Sequence, residues 1–121
     1  MKKQMNKQEM FNKMWLGLSG QGWKRSARED GACMYRGPGG LKCAVGHLLS
    51  DEACSGEVGP DDYGAVVDLP FWFLKYEGLY DELDFLNDAQ GAHDEAGVPE
   101  EMEDNFRFLA VSYGLDIPDA R

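Results

Sequence analysis

Histidine and cysteine are scarce in this chain, which limits the metal and nucleophile chemistry it could carry. Its 121 residues include two histidines and three cysteines, and no cysteine pair has the CxxC spacing of zinc ribbons or redox motifs. An odd number of widely spaced cysteines favours reduced thiols in a cytosol over a disulfide-bonded secreted scaffold. Two histidines are also too few for a metal-dependent phosphohydrolase of the HD type, although His93 and Asp94 are adjacent.

Long apolar runs are missing as well. No run approaches the roughly 20 residues that a membrane-spanning helix needs, and the N-terminal MKKQMNKQEM is followed by amphipathic sequence, not by the apolar core of a signal peptide. We therefore expect a soluble intracellular protein with no membrane partner. Hydrophobic residues make up 43% of the chain, which is enough to build a core, and the length suits one domain over residues 1–121.

Basic residues are rare after residue 45. Up to Val45, nine lysines and arginines face three acids, a net charge of +6; from Gly46 onward three basic residues face nineteen acids, a net charge of −16. This split allows a basic patch to coexist with a strongly acidic face, so the total charge of −10 does not by itself exclude nucleic-acid binding. The candidate basic patch consists of Lys24, Arg25, Arg28, Arg36 and Lys42.

The spacing of apolar residues predicts that most of the chain is helical. The predicted helices cover about residues 6–19, 44–53, 79–96 and 99–113, the last of them starting at a proline and ending before Gly114. A further helix is expected to have Asp68 as its N-cap. It would carry the FWF sequence of residues 71–73, which we expect to lie in the core.

The stretch CMYRGPGGLKCAVGHLL predicts a β-hairpin that runs into a helix. An odd loop at GPG would place Tyr35 and Cys43 on one face, with Cys33 as a close neighbour of Cys43. Arg36 and Lys42 would then share the other face. The GPGG sequence is a turn in this interpretation, because it lacks the lysine and hydroxyl of a phosphate-binding loop.

The predicted helix over residues 79–96 carries the most informative stripe in the chain. Its members recur at steps of four, three, four and three, and they are Leu79, Leu83, Leu86, Gln90 and His93. Gln90 and His93 therefore continue an apolar face toward the core. Because buried polar side chains need partners, we expect both to hydrogen-bond buried backbone groups, for example those of the hairpin.

Two chemical alternatives stay open for the same part of the chain. Cys33, Cys43, His47 and His93 are sulfur and nitrogen donors that suit a tetrahedral zinc ion, so a small metal-binding protein or enzyme is one alternative. Cys43 with His47 or His93 would be a nucleophile with its base, although no nucleophile turn supports either pair. In the structural interpretation the cysteines are small buried residues of the hairpin, and no cofactor is expected.

Acidic residues decorate the outer faces of the last two predicted helices. Carboxylates arrayed on helices can occupy a basic groove of a partner in place of nucleic-acid phosphates. A face that only keeps the protein soluble is the alternative. The candidate partner-binding acids are Asp81, Glu82, Asp84, Asp88, Asp94 and Glu95.

Two motifs resemble a family of small proteins encoded by tailed bacteriophages. The first motif, C-x-Y-R-G-x-x-G-L-K-C-A-x-G, begins at Cys33, and the second, Q-x-x-H-D, begins at Gln90. Members of the family often have LIPDE where this chain has LLSDE from Leu48 onward, so the proline is missing here. The resemblance implies a phage accessory protein that acts in the host cytoplasm and brings no established activity with it. It also implies that the two motifs form one packed structural unit, which contains Cys33, Tyr35, Arg36, Gly37, Gly40, Cys43, Gln90 and His93.

Together these patterns predict an α+β domain in which a short β-hairpin packs against about four α-helices. The expected function is binding without catalysis, by a non-virion phage protein that modulates or inhibits a bacterial host or defence macromolecule through its acidic helical surface. A host protein that handles nucleic acid is the expected partner. The alternatives are a metal-binding or catalytic Cys/His site and direct nucleic-acid binding through the basic patch.

Overall fold

A computed structural model of the chain describes residues 4–27, 34–54 and 66–118. Within these residues the α-helices are α1 (Lys7–Gly20), α2 (Asp51–Cys54), α3 (Phe71–Tyr76), α4 (Leu83–Asp94) and α5 (Pro99–Tyr113). Short 3₁₀ turns lie at Pro38–Gly40, Val45–Leu48, Val66–Asp68 and Tyr80–Glu82. None of the helices in the described ranges is long and apolar enough to span a membrane.

The described residues contain no β-strand, so the predicted α+β class and its hairpin are wrong, and the domain is mostly helical. Arg36 and Lys42 form an isolated antiparallel bridge that does not extend into a ladder. The Gln21 amide donates to the Lys42 carbonyl at 2.8 Å and accepts from the Lys42 N–H at 3.2 Å, while Ser26 Oγ donates to the Met34 carbonyl at 2.7 Å. Because these side chains satisfy backbone groups that a neighbouring strand would otherwise bind, the bridge stays isolated.

The turn between Arg36 and Lys42 is wider than the predicted GPG loop. Five residues, 37–41, separate the bridged pair, and Gly39 and Gly40 have φ values of 72° and 79°, which a residue with a Cβ adopts only under strain. The number of loop residues is still odd, and Tyr35 and Cys43 are both buried. The predicted contact of Cys43 with Cys33 lies outside the described residues.

Helix α1 begins within one residue of the predicted position because its N-terminus carries a complete capping box. The Asn6 side chain accepts from the Glu9 N–H at 2.8 Å, and the Glu9 carboxylate accepts from the Asn6 N–H at 3.2 Å. The buried stripe of the helix consists of Met10, Phe11, Met14, Trp15 and Leu18.

The single helix predicted over residues 44–53 is interrupted. A 3₁₀ turn and the one-turn helix α2 replace it, and Leu49 between them is extended. Arg36 Nη2 donates to the Leu49 carbonyl at 2.8 Å, and the buried Glu77 carboxylate accepts from the Ser50 N–H at 2.8 Å. These tertiary hydrogen bonds use backbone groups that a continuous helix would need, so the helix breaks at this point.

Helix α3 differs from the prediction at its start and in what it buries. Pro70 occupies the N-cap position with no side-chain cap, and Asp68 belongs to the preceding 3₁₀ turn. Phe73 is buried, but Phe71 and Trp72 are 56% and 70% exposed, so the prediction that FWF lies in the core is wrong for two of its three residues. With 3.6 residues per turn, three consecutive side chains of a surface helix cannot all face inward.

Helices α4 and α5 pack against each other, and α5 also contacts α1. The predicted start of α4 at residue 79 is wrong because Tyr80–Glu82 forms a 3₁₀ turn and the α-helix begins at Leu83. Gly114, with a φ of 66°, caps α5 as predicted. The Phe11 and Phe106 rings, with centroids 6.4 Å apart, link α1 to α5 within the core.

Candidate functional site

His93 is the buried centre of a hydrogen-bond network, which we call the His93 network and which consists of Ser26, Gln90, His93 and Asp94. The His93 side chain is fully buried. Its Nε2 accepts the backbone N–H of Ser26 at 3.1 Å, and its Nδ1 lies 2.8 Å from Asp94 Oδ1. Because Nε2 accepts a hydrogen, the ring is neutral and carries its proton on Nδ1, which donates to the carboxylate.

Gln90 extends the network to the chain that follows the first motif. Its Oε1 accepts the Val45 N–H at 3.2 Å, and its Nε2 donates to Asp94 Oδ1 at 2.8 Å. These contacts confirm the prediction that Gln90 and His93 bond backbone groups. Partner binding by Asp94 stays a prediction; its Oδ1 is hydrogen-bonded to Gln90 and His93, and its carbonyl accepts from Arg25 Nη1 at 3.0 Å.

Two glycines of the first motif allow close approaches of the backbone beside this network. A Cβ added at Gly37 would lie 2.3 Å from Ser26 Oγ, and one added at Gly46 would lie 2.1 Å from the carbonyl oxygen of Tyr35. Neither distance leaves room for a side chain. Over its described residues, the first motif is joined to the Q-x-x-H-D helix by the hydrogen bond from the Val45 N–H to Gln90, and its member Cys33 lies outside the described chain.

Ser26, His93 and Asp94 have the residue types of a catalytic triad but not its hydrogen-bond pattern. In a triad the imidazole accepts the serine hydroxyl proton. Here Ser26 Oγ donates to the Met34 carbonyl at 2.7 Å, and the Ser26 backbone N–H occupies His93 Nε2. Ser26 is also fully buried. The arrangement holds the fold together and does not activate a nucleophile.

The other predicted Cys/His constellations are not assembled within the described residues. His93 uses both ring nitrogens on Ser26 and Asp94, and His47 Nε2 pairs with Gln21 Oε1 at 3.1 Å. Cys43 Sγ accepts the Gly46 N–H at 3.3 Å. In the described part of the chain, no group of three or more His, Cys, Asp or Glu side chains could hold a metal ion. The geometry of the described residues therefore supports neither a zinc site nor a Cys-His nucleophile. Cys33, the remaining predicted zinc ligand, lies outside the described ranges.

His47 packs its ring against the backbone of α1. A Cβ at Gly17 would lie 2.3 Å from His47 Nδ1, so the helix needs a glycine at this point. Burial, together with smaller effects of the positive charges of Lys42 and Arg36, lowers the pKa of His47 from 6.5 to about 4. The imidazole is therefore neutral at neutral pH.

We expect His47→Gln to change how stability depends on pH. The folded state keeps His47 neutral down to about pH 4, whereas the unfolded chain binds a proton below about pH 6.5. The stabilisation is therefore complete above pH 6.5 and declines toward pH 4. Between pH 7 and pH 5 the wild type should lose about 2 kcal/mol relative to the variant. Urea denaturation of both proteins at the two pH values measures this change, and a difference that does not vary with pH would contradict it.

The residues of the predicted basic patch do not all remain free for a ligand. Arg36 forms a salt bridge with Asp51, and Arg25 donates to the carbonyl of Asp94. Arg28 lies outside the described residues. Nucleic-acid binding through this patch stays a prediction, and the contacts of its two described arginines do not favour it.

The predicted acidic residues, apart from Asp94, lie along one side of α4 and the turn before it. We call them the acidic face, which consists of Asp81, Glu82, Asp84, Asp88 and Glu95. Four of them are exposed, and the half-buried Glu82 pairs with Lys7 Nζ at 2.7 Å. Steps of four and seven residues place Asp84 and Asp88 of α4 and its C-cap residue Glu95 on the same side of the helix.

Among the described residues, two grooves adjoin the acidic face. The first, of about 490 Å³, lies between α4 and α5 and contains Asp88 and Glu95; the second, of about 530 Å³, contains the remaining members of the face. Tyr113 lines both grooves, and its hydroxyl donates to Asp88 Oδ2. This hydrogen bond raises the pKa of Tyr113 from 10 to about 12, so the hydroxyl keeps its proton and remains a donor at neutral pH.

Sequence reasoning missed the exposed hydrophobic residues of α5. Phe108 and Val111 are 73% and 78% exposed, and Phe108 lines the first groove. The signal was present, because both residues fall off the buried stripe that contains Met102 and Phe106. Gln21 and Ser26, which bond the backbone of the first motif, were also missed, because the polar sequence around them carries no periodic apolar pattern.

The chain matches no protein-family model. No curated protein and no solved structure matches it either. Its function is therefore inferred from the residues and their geometry.

Proposed function

We propose that this protein binds a basic protein partner through its acidic face. The observation that carries the proposal is the exposure of Asp81, Asp84, Asp88 and Glu95, which line two grooves that share Tyr113. Among the described residues, a single ion pair, from Lys7 to Glu82, offsets the charge of this face. Because like charges held together by a folded scaffold repel one another, a cationic partner relieves a cost that the free protein bears.

Charge of this kind acts mainly on recognition and on the rate of association. A concentrated negative potential attracts a basic surface before contact and repels acidic competitors. Salt screens the attraction over about 8 Å at physiological ionic strength. Binding through the acidic face should therefore weaken as salt is added.

The chemistry of the face suits a partner that normally binds nucleic acid. Such proteins hold phosphates with arginine and lysine side chains, which pair with carboxylates equally well. In keeping with the resemblance to phage accessory proteins, we propose a bacterial host or defence protein as the partner, met in the host cytoplasm. Occupation of its basic groove would inhibit it.

The test is to neutralise three exposed acids together, as Asp84→Asn, Asp88→Asn and Glu95→Gln. Tagged wild type and variant are incubated with bacterial lysate at low and high salt, and the captured proteins are quantified by mass spectrometry. We expect the wild type to enrich proteins with basic surfaces and the variant to lose about tenfold or more of that enrichment, because paired charges at an interface contribute about 1.5 kcal/mol or more each.

A matched control removes three charges elsewhere on the surface. Glu100→Gln, Asp104→Asn and Asp116→Asn change exposed residues that lie outside the acidic face. The control protein should capture the same proteins as the wild type. Equal losses in both variants would attribute capture to net charge alone, and unchanged capture by the first variant would equally refute the proposal.

A further inference from the structure

The groove between α4 and α5 is open at its centre. It has a volume of about 490 Å³, and Asp88, Glu95, Phe108 and the buried Leu109 are among the residues that line it. Gly91 also lines the groove, and a Cβ added there would meet no atom within 4 Å. In the sequence, Gly91 lies between Asp88 and Glu95. The position without a side chain is therefore flanked by one carboxylate on each side.

The groove combines negative charge with exposed apolar surface. Asp88 on α4 and Glu95 at the C-cap of α4 are exposed, and the Phe108 side chain on α5 is 73% exposed. An exposed aromatic residue beside a depression is typical of binding surfaces, where aromatic residues supply much of the binding energy. A complementary partner therefore has apolar surface flanked by positive charge.

The spacing of the two acids indicates the shape of that partner. Asp88 and Glu95 are seven residues apart, which is two helical turns or about 10 Å along the axis. A second helix that lies along the groove presents side chains on one face at i and i+7, with i+3 or i+4 between them. The positions of the carboxylates and of Gly91 match this repeat.

We infer that the groove binds an amphipathic basic helix of the partner. Lysine or arginine side chains at i and i+7 pair with Asp88 and Glu95, and a large apolar side chain at i+3 or i+4 inserts over Gly91 against Phe108. Tyr113 occupies one oxygen of Asp88 and leaves the other for the partner. The inference rests on the proposed function and specifies the chemistry of the partner. A nucleic acid would bring its phosphates against the same carboxylates, so the charge favours a protein helix.

The experiment uses the full chain and a synthetic peptide. The probe is a fluorescently labelled helix of about 18 residues, long enough to be partly helical alone, with arginine at i and i+7 and leucine at i+3 and i+4. Fluorescence anisotropy measures its affinity. Gly91→Leu fills the open position without changing charge, and we expect about tenfold weaker binding, equivalent to about 1.4 kcal/mol.

Further variants separate shape from charge. The pair Asp88→Asn and Glu95→Gln should weaken binding by about tenfold or more. The matched control pair, Asp81→Asn and Asp84→Asn, removes the same charge outside this groove and should change the affinity by less than about threefold. Phe108→Ser removes the exposed aromatic side chain without altering α4, and we expect it to weaken peptide binding several-fold. This variant tests the inference independently if Gly91→Leu perturbs folding.

Several outcomes would overturn the inference. The first is that the wild type, the Gly91→Leu variant and the Phe108→Ser variant bind the designed peptide equally well. The second is that the wild type does not bind the designed peptide, or binds a scrambled peptide of the same composition with equal affinity. The third is that the wild type binds a single-stranded DNA probe more tightly than the designed peptide. In each case the proposed function still stands if neutralising Asp84, Asp88 and Glu95 abolishes capture from lysate. The proposed function fails, whatever the peptide does, when that capture is unchanged.

Discussion

Gly46→Ala should reduce the free energy of unfolding by about 3 kcal/mol or more, at the upper end of what overpacking costs. The added Cβ would lie 2.1 Å from the carbonyl oxygen of Tyr35 and 3.0 Å from its carbonyl carbon. These are backbone atoms and cannot rotate away, so the two chain segments must separate. Separation also strains the neighbouring hydrogen bond from the Val45 N–H to Gln90. Urea denaturation followed by tryptophan fluorescence measures the loss, and the melting temperature should fall by about 10 °C.

Gly91→Ala is the matched control for this glycine substitution. Gly91 lies inside α4, and its added Cβ meets nothing within 4 Å. Because alanine is favoured over glycine in a helix interior by about 1 kcal/mol, the control protein should be as stable as the wild type or more stable. If the Gly46→Ala variant unfolds at the same urea concentration as the wild type, the inference that the Tyr35 backbone leaves no room for a Cβ at position 46 is wrong.

His93→Leu should cost about 3 kcal/mol as well. Leucine retains an apolar side chain in the buried space, so the effect reports mainly on lost hydrogen bonds. The Ser26 N–H loses its acceptor, and Asp94 Oδ1 loses one of its donors. A buried polar group without a partner costs about 1–3 kcal/mol. The same urea titration measures this change in stability.

His93→Gln should recover part of that loss. The side-chain carbonyl of glutamine can accept a backbone N–H, as the imidazole Nε2 does for Ser26 in the wild type. The glutamine variant is therefore expected to lie between the wild type and the leucine variant in stability. Equal stability of all three proteins would show that the His93 network does not hold α4 to the first motif.

The stretch CMYRGPGGLKCAVGHLL has the composition of a reactive site, but its described residues have structural roles. This stretch and the helix α4 contain glycines, two cysteines, an arginine and two histidines, which are residue types of metal and nucleophile sites. In the fold, His93 is fully occupied by Ser26 and Asp94, and the Gly37 and Gly46 positions are filled by neighbouring atoms. Of the predicted partner-binding residues, Asp81, Asp84, Asp88 and Glu95 are exposed in the structure.

The sequence by itself determined the features that depend on nearby residues. The capping box at Asn6 sets the start of α1, and Gly114 sets the end of α5. The apolar stripe of α4 correctly placed Gln90 and His93 toward the interior. These signals act within one or two helical turns, so the order of residues is sufficient to predict them.

Only the tertiary structure decided the features that depend on distant side chains. Gln21 and Ser26 bond the backbone of the first motif and leave an isolated bridge where a hairpin was predicted, and Glu77 holds Ser50 outside a helix. The groove that Gly91 and Phe108 line exists because α4 packs against α5. Periodicity shows which side of an element is apolar, but it does not show which distant polar group will reach its backbone, and those hydrogen bonds determined the fold of this region.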